Sequence, residues 1–229
     1  PLRGHGQAFG KRLPIYLGLP ELRPGFSQAE GMAIKAGIGL PDGLPLVGVE
    51  VHTFTDGHAA GFSALAAAMT ALQQGRHELC IVGGVDSYCH PDTMEWLDEN
   101  RQLVGTVARS ALVPGEGAGF CLLATERTRA RHGWNSLGRV VAVATGREQK
   151  HIKSSEVCLG EGLSDTLRRT LSVLSPQNQR IDDIFCDING ERYRGEEWGF
   201  ACLRMQKYIE DPTAYHAPAD CWGDVGAAS

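Results

Sequence analysis

The stretch from His58 to Gly84 constrains what this chain can fold into more than any other. From His58 to Gln74 the apolar residues Phe62, Leu65, Met69 and Leu72 recur at the spacing of one helix face, and the many alanines between them suit a helix packed closely on all sides. Gly75 stands where a left-handed residue ends a helix. Leu79-Cys-Ile-Val-Gly83 follows at once, a short apolar run that stops on the pair Gly83-Gly84 and reads as a buried strand. A close-packed helix that turns straight into a buried strand is a building block of α/β architecture.

The rest of the chain repeats that alternation. Leu13 to Leu19 is a short strand ended by Pro20, and Leu46 to Val51 is another. Gly119 to Ala124 (GFCLLA) and Arg139 to Thr145 (RVVAVAT) are the next two. Gly162 to Leu174 is a second amphipathic helix with Leu163, Leu167, Leu171 and Leu174 on one side, stopped by Ser175-Pro176. Ile184 to Ile188 is a strand that terminates at Asn189-Gly190. Both halves thus carry a helix, a polar turn and a buried strand ending in glycine, a faint internal repeat.

Several function classes are disfavoured. The net charge of −5 and the lack of a lysine or arginine block argue against a nucleic-acid groove. The basic run Arg127, Arg129, Arg131 and His132 reads as a solvated helix face, with a docking patch for an acidic carrier protein as the alternative. No apolar run is long enough for a bilayer and no signal peptide opens the sequence, so no membrane association is expected. The seven cysteines form no C-x-x-C pair, and Cys80, Cys121 and Cys186 sit inside apolar runs as small hydrophobes; a reducing cytosol is the expected compartment. Cys89-His90 is the one adjacent thiol–imidazole pair and nothing repeats it at ligand spacing, so neither zinc nor a cofactor is expected. Asp86, Asp98 and Glu99 read as loop or helix surface, and the charged stretch of Glu191, Arg192, Arg194, Glu196 and Glu197 reads as a solvated loop.

Gly115-Glu-Gly-Ala-Gly119 after Val113-Pro114 is the most informative short string. Three glycines in five residues mark a turn with unusual dihedrals or a close backbone approach. It precedes a strand rather than a helix N-terminus and lacks Lys-Ser/Thr, so it fits a phosphate loop poorly. Followed by a hydrophobic strand and a Glu-Arg-rich helix, this string resembles the segment that β-ketoacyl synthases, in the thiolase-like superfamily, carry near the end of their first half. Gly61, Gly75 and Gly83-Gly84 resemble that family's spacing from nucleophile helix to strand end. Gly162 to Gly190 is similar to the helix and strand before its first catalytic histidine, and Gly223-Asp-Val-Gly-Ala-Ala-Ser229 is similar to the G-H-x-x-G-A-A segment around its second.

The resemblance implies a five-layer α/β/α/β/α fold of two related halves, 1–128 and 129–229, meeting at about residues 125–138. A full family member has elements before Leu13 and after the last segment, so the sequence is expected to be a fragment or part of a longer protein. Dimers are implied, homodimeric or with an active synthase, with Leu46 to Val51 as the pairing strand, and acyl carrier protein or acyl-CoA as the acyl source. The family's catalytic letters are not retained. In Gly57-His58-Ala59-Ala60-Gly61, His58 stands where the nucleophilic cysteine belongs. Asn189 aligns with the first histidine, Asp224 with the second, and Ala219 with the lysine that precedes it. An acyl-imidazole on His58 would hydrolyse readily. Asn189 retains an amide donor, whereas an ionised Asp224 repels a developing oxyanion. The expectation is a non-condensing acyl-binding or partner subunit of fatty-acid or polyketide-type metabolism, like the family's chain-length factors. The alternatives are an acyl-thioester hydrolase or acyltransferase with a His58–Asp224 base, and a structural scaffold without an acyl ligand. A Trp222 or Tyr193 side chain in the tunnel would favour the scaffold.

Overall fold

A computed structural model describes residues 12–40, 46–105, 107–150, 156–177 and 179–229. The chain forms two compact units. One comprises the chain up to Asp86, then Gly117–Arg139 and the turn Gly226–Ala228; the other comprises Ser87–Glu116, Val140–Val225 and Ser229.

The first unit is built on β1 (Leu13–Gly18), α1 (Gln28–Gly37), β2 (Val49–Phe54), a 3-10 turn at Gly57–Ala59, α2 (Ala60–Gln73) and β3 (Leu79–Ser87). After α3 (Pro91–Glu99), which belongs to the second unit, β4 (Glu116–Ala124) and α4 (Glu126–His132) complete it. The sheet order is β2-β1-β3-β4. β1 is parallel to both neighbours, with Leu13 opposite Val49 and Gly18 opposite both Phe54 and Gly84. A strand flanked on both sides in a parallel sheet must be apolar throughout, and all six residues of β1 are buried.

The buried face of α2 is only partly the expected one, with Leu65 and Leu72 packed against the core. Ala60, Ala64, Ala68 and Ala71 are wholly buried, whereas Phe62, expected on the apolar face, is 56% exposed. The reason is the closeness of the helix to the sheet: a Cβ on Gly18 would stand 2.8 Å from the backbone of Ala60 and Gly61, so only small residues fit between them. Gly75 does end the helix in the left-handed conformation (φ 69°), with the Arg76 amide donating to the Ala71 carbonyl. β2 begins three residues later than the expected Leu46, and β3 runs through the glycine pair to Ser87 rather than ending there. Cys80, on β3, is wholly buried, and burial pushes its thiol up to about 12, as befits a small hydrophobe. Cys121, on the edge strand β4, is exposed instead.

In the second unit α5 (Glu161–Leu171) runs into a 3-10 segment, Ser172–Gln177, and packs on α6 (Arg192–Met205). Leu171, Cys202, Met205, Tyr208 and Ile209 form the core between them. β5 (Ile184–Phe185) pairs in parallel with β6 (Tyr215–His216), and α7 (Ala219–Trp222) leads to the C-terminal segment. Two expected strands shrink. Arg139 to Thr145 forms no strand, and Ile184 to Ile188 keeps only two residues of ladder. A strand exists only where a partner completes its hydrogen bonds, and Val140 and Val141 are 40% and 62% exposed with no ladder partner among the described residues. Trp222 is 62% exposed, so it is neither core nor tunnel plug. Among the described residues no helix is long and apolar enough to cross a membrane.

The glycine pair is where the sheet is overlaid by backbone. A Cβ on Gly84 would stand 1.8 Å from the Ala227 carbonyl oxygen, and one on Gly83 would stand 2.2 Å from that of Gly119. A backbone atom cannot swing aside as a side chain can. Gly84→Ala is therefore expected to lower unfolding stability by about 3 kcal/mol, at the upper end of overpacking costs, as read by urea denaturation. Gly105→Ala, where a Cβ meets nothing within 4 Å, is the control and should stay within about 0.5 kcal/mol of the parent.

Candidate functional site

The three positions singled out in the sequence are held by different elements. His58 lies in the 3-10 turn Gly57–Ala59, half-buried, at the N-terminal end of α2; Gly57 has φ 57°. Within the first unit this turn packs against the turn Gly226–Ala228. Asn189 and Asp224 belong to the second unit.

Asn189 and Asp224 meet. The Asn189 side-chain amide donates to Asp224 Oδ2 (2.5 Å) and to Glu191 Oε2 (3.0 Å), while its oxygen accepts from the Glu191 backbone N–H (3.0 Å). Gln102 Nε2 donates to the other Glu191 oxygen at 3.0 Å, and the Arg194 guanidinium donates to Glu191 and Asp187. Asn189, Glu191 and Asp224 are 6%, 5% and 3% exposed. The stretch expected to be a solvated loop is instead the start of α6, with two of its charges turned into the protein. Sequence reading missed Glu191, Arg194 and Gln102; the signal available was the alternation of acid and arginine one helical turn apart.

The electrostatics follow from burial. Burial works against the Arg194 charge, but Asp187, Tyr193, Asp224 and Glu191 outweigh it and hold the guanidinium protonated more firmly than usual. Burial pushes the Tyr193 phenol well above its ordinary range. An amide nitrogen has two N–H groups, and both on Asn189 point at carboxylates. Neither is free to meet an oxyanion developing on a ligand.

The glycine string explains how Asp224 is placed. Its backbone N–H donates to the Val113 carbonyl (2.7 Å), and the Gly115 N–H donates to the Asp224 carbonyl (2.8 Å). A Cβ on Gly115 would stand 2.5 Å from the Trp222 carbonyl oxygen, and one on Gly223, at φ 78°, 2.9 Å from that of Pro114. Pro114-Gly115 and Gly223-Asp224 are thus two backbones in direct contact.

Residues 48–129 match the model of the β-ketoacyl synthase N-terminal domain. The fold resembles the ketosynthase from module 6 of the bacillaene synthase of Bacillus subtilis 168 (16% identity, TM-score 0.64, 95% of this chain and 41% of that one). It also resembles the type II polyketide ketosynthase AntDE in complex with the acyl-carrier protein AntF (14% identity, TM-score 0.68, 100% of this chain and 64% of that one). The ishigamide ketosynthase/chain length factor is similar at 17% identity and TM-score 0.68, over 96% of this chain and 60% of that one. The chain spans less than two thirds of each of these proteins. No curated protein matches it in sequence. The fold of this chain is the thiolase-like α/β fold.

A second charged group lies apart from Asn189 and Asp224. Glu148, Cys158 and Glu197, all half-buried, each offer one ligand atom within 4.8 Å of the others, the kind of set that can hold a cation. Burial raises the Glu197 carboxyl, and Glu148 and Asp187 raise it further against Arg194. Burial likewise raises the Cys158 thiol, with Glu197 and Glu148 adding to it.

Two predictions follow from these charges. Asn189→Leu leaves two buried carboxylates without their shared donor and should cost about 2–3 kcal/mol of stability by denaturant titration. Glu197 is a carboxyl raised on folding, so the folded state binds its proton more tightly than the unfolded one. Stability on its account is greatest below the unfolded value and falls as pH rises through the folded one. Glu197→Gln should remove that loss: its thermal midpoint should exceed the parent's at pH 7.5, and the difference should shrink towards pH 4.

Proposed function

We propose that this chain is a non-condensing ketosynthase-type subunit that binds an acyl chain or a catalytic partner without performing Claisen condensation. The observation that carries this reading is the Asn189–Asp224–Glu191 network. If Asn189 and Asp224 occupy the positions of the family's two histidines, the donors that condensation needs are replaced by an engaged amide and a buried carboxylate. With His58 in place of the cysteine there is also no thiolate to carry the acyl group.

The partner we infer is an active ketosynthase subunit. One solved relative is a ketosynthase/chain length factor pair and another is a ketosynthase with its acyl-carrier protein. β2, which overlaps the segment expected to pair between subunits, lies at the edge of its sheet and leaves one side of its backbone without a ladder among the described residues. A homodimer through the same edge is the competing arrangement, and analytical ultracentrifugation of the chain alone and with a ketosynthase separates the two.

The enzymatic test is incubation with an acyl carrier protein loaded with hexanoate, with and without malonyl carrier. The expected result is binding with no β-ketoacyl product and no faster hydrolysis of the thioester, unchanged in His58→Ala. Thioester hydrolysis lost in His58→Ala would instead establish an acyl-thioester hydrolase built on His58. No binding by either protein would leave a structural scaffold.

A further inference from the structure

The first unit contains a buried ion pair between Arg23 and Asp86. Asp86, on β3, was expected at the surface, yet it is 4% exposed. Its Oδ1 meets Arg23 Nη2 at 2.5 Å, with the two side chains 1% and 3% exposed. Its Oδ2 accepts the backbone N–H of Ala227 at 2.9 Å. Arg23 is held in place by a tight turn, in which the backbones of Arg23 and Phe26 exchange hydrogen bonds across Gly25 (φ 83°).

Ala227 is the centre of the turn Gly226–Ala228. Its carbonyl oxygen lies over Gly84 and 3.5 Å from a Cβ built on Gly61, and the turn packs against Gly57–Ala59, which carries His58. The carbonyl side of Ala227 therefore rests on glycine backbone, and its amide side is tied to a carboxylate. An amide donating to an ionised acceptor makes one of the stronger hydrogen bonds in a protein.

A buried ion pair is poor at stabilising a fold, because the desolvation of two charges cancels most of their attraction; well-packed apolar residues of similar size often serve as well. A pair retained at 1% and 3% exposure calls for another role, and the Ala227 amide supplies it. We infer that Arg23 and Asp86 are positioning residues: they fix the Gly226–Ala228 turn against the His58 turn, with Arg23 orienting the Asp86 carboxylate and Asp86 gripping Ala227. This holds whether His58 faces an acyl group or none, so it stands independently of the acyl-binding reading.

The test uses the Arg23→Met/Asp86→Leu double variant and the milder Asp86→Asn. Backbone amide exchange is followed by NMR, together with the imidazole Cε1–H resonances of the eight histidines. In the double variant the denaturation midpoint should stay near the parent's, while Ala227 exchanges roughly 10- to 100-fold faster, the loss expected for a hydrogen bond to a charged group. The β1 amides should keep their protection, and the His58 resonance should shift while the other histidines hold. Asp86→Asn should show the same selective change at Ala227 and His58, to a smaller degree. Unchanged Ala227 exchange in either folded variant would overturn the inference. So would acceleration shared equally by β1 and Ala227, which would make the pair a plain stabilising contact. A double variant that fails to fold, beside an Asp86→Asn with unaltered Ala227 and His58, would overturn it as well.

Discussion

Backbone lying directly on backbone is the constraint on which the rest of this structure depends. In the first unit the Ala227 carbonyl occupies the space of a Cβ at Gly84, the Gly119 carbonyl that of one at Gly83, and the start of α2 that of one at Gly18. In the second unit Gly115 and Gly223 do the same for the segments around Pro114 and Asp224. None of these sites tolerates even a methyl group without moving main chain. The alanine face of α2 obeys the same rule one step out: with the helix this close to β1, small residues, the wholly buried Ala60, Ala64, Ala68 and Ala71, stand at the contact, Leu65 and Leu72 pack at its flank, and Phe62 turns outward.

Buried charge sets the second constraint, and each unit meets it differently. In the first, one carboxylate is shared between a guanidinium and a backbone amide. In the second, Glu191 and Asp224 are buried together, and their repulsion is offset by Asn189 between them, Gln102 behind Glu191 and Arg194 alongside. These residues form one unit of hydrogen-bond bookkeeping. No member can change alone without leaving a buried oxygen or N–H unsatisfied, which costs more than the bond itself contributes.

Much of the fold was legible because glycine and alanine have few reasons to cluster. Gly75 marked the end of α2, Gly83-Gly84 marked β3, and the string from Gly115 to Gly119 marked a close approach whose partner, the Trp222–Asp224 backbone, only the structure identifies. The reading failed where a pattern depends on distant partners. Arg139 to Thr145 has the composition of a strand, but composition does not supply the ladder that makes one. Phe62 shares the helical spacing of Leu65 and Leu72, which pack against the core, yet it turns outward while the alanines beside them take the contact with the sheet. Charged residues misled most. Asp86, Glu191 and Arg194 look like surface in one dimension, and burial of a charge becomes visible only when its counter-charge, 63 residues away for Asp86, is brought beside it.

The two constraints act on different residues. A glycine at position 84 or 115 is fixed by main-chain atoms, whatever the protein does, because no compensating substitution removes a carbonyl oxygen from its path. Positions 189 and 224 are fixed only by the balance of donors and acceptors around them. A histidine, an asparagine or an aspartate can each stand there provided the neighbours supply the complementary atoms, as Glu191, Gln102 and Arg194 do here. A histidine at 189 would meet the two buried carboxylates that Asn189 now serves, and would pair with them before it met any ligand.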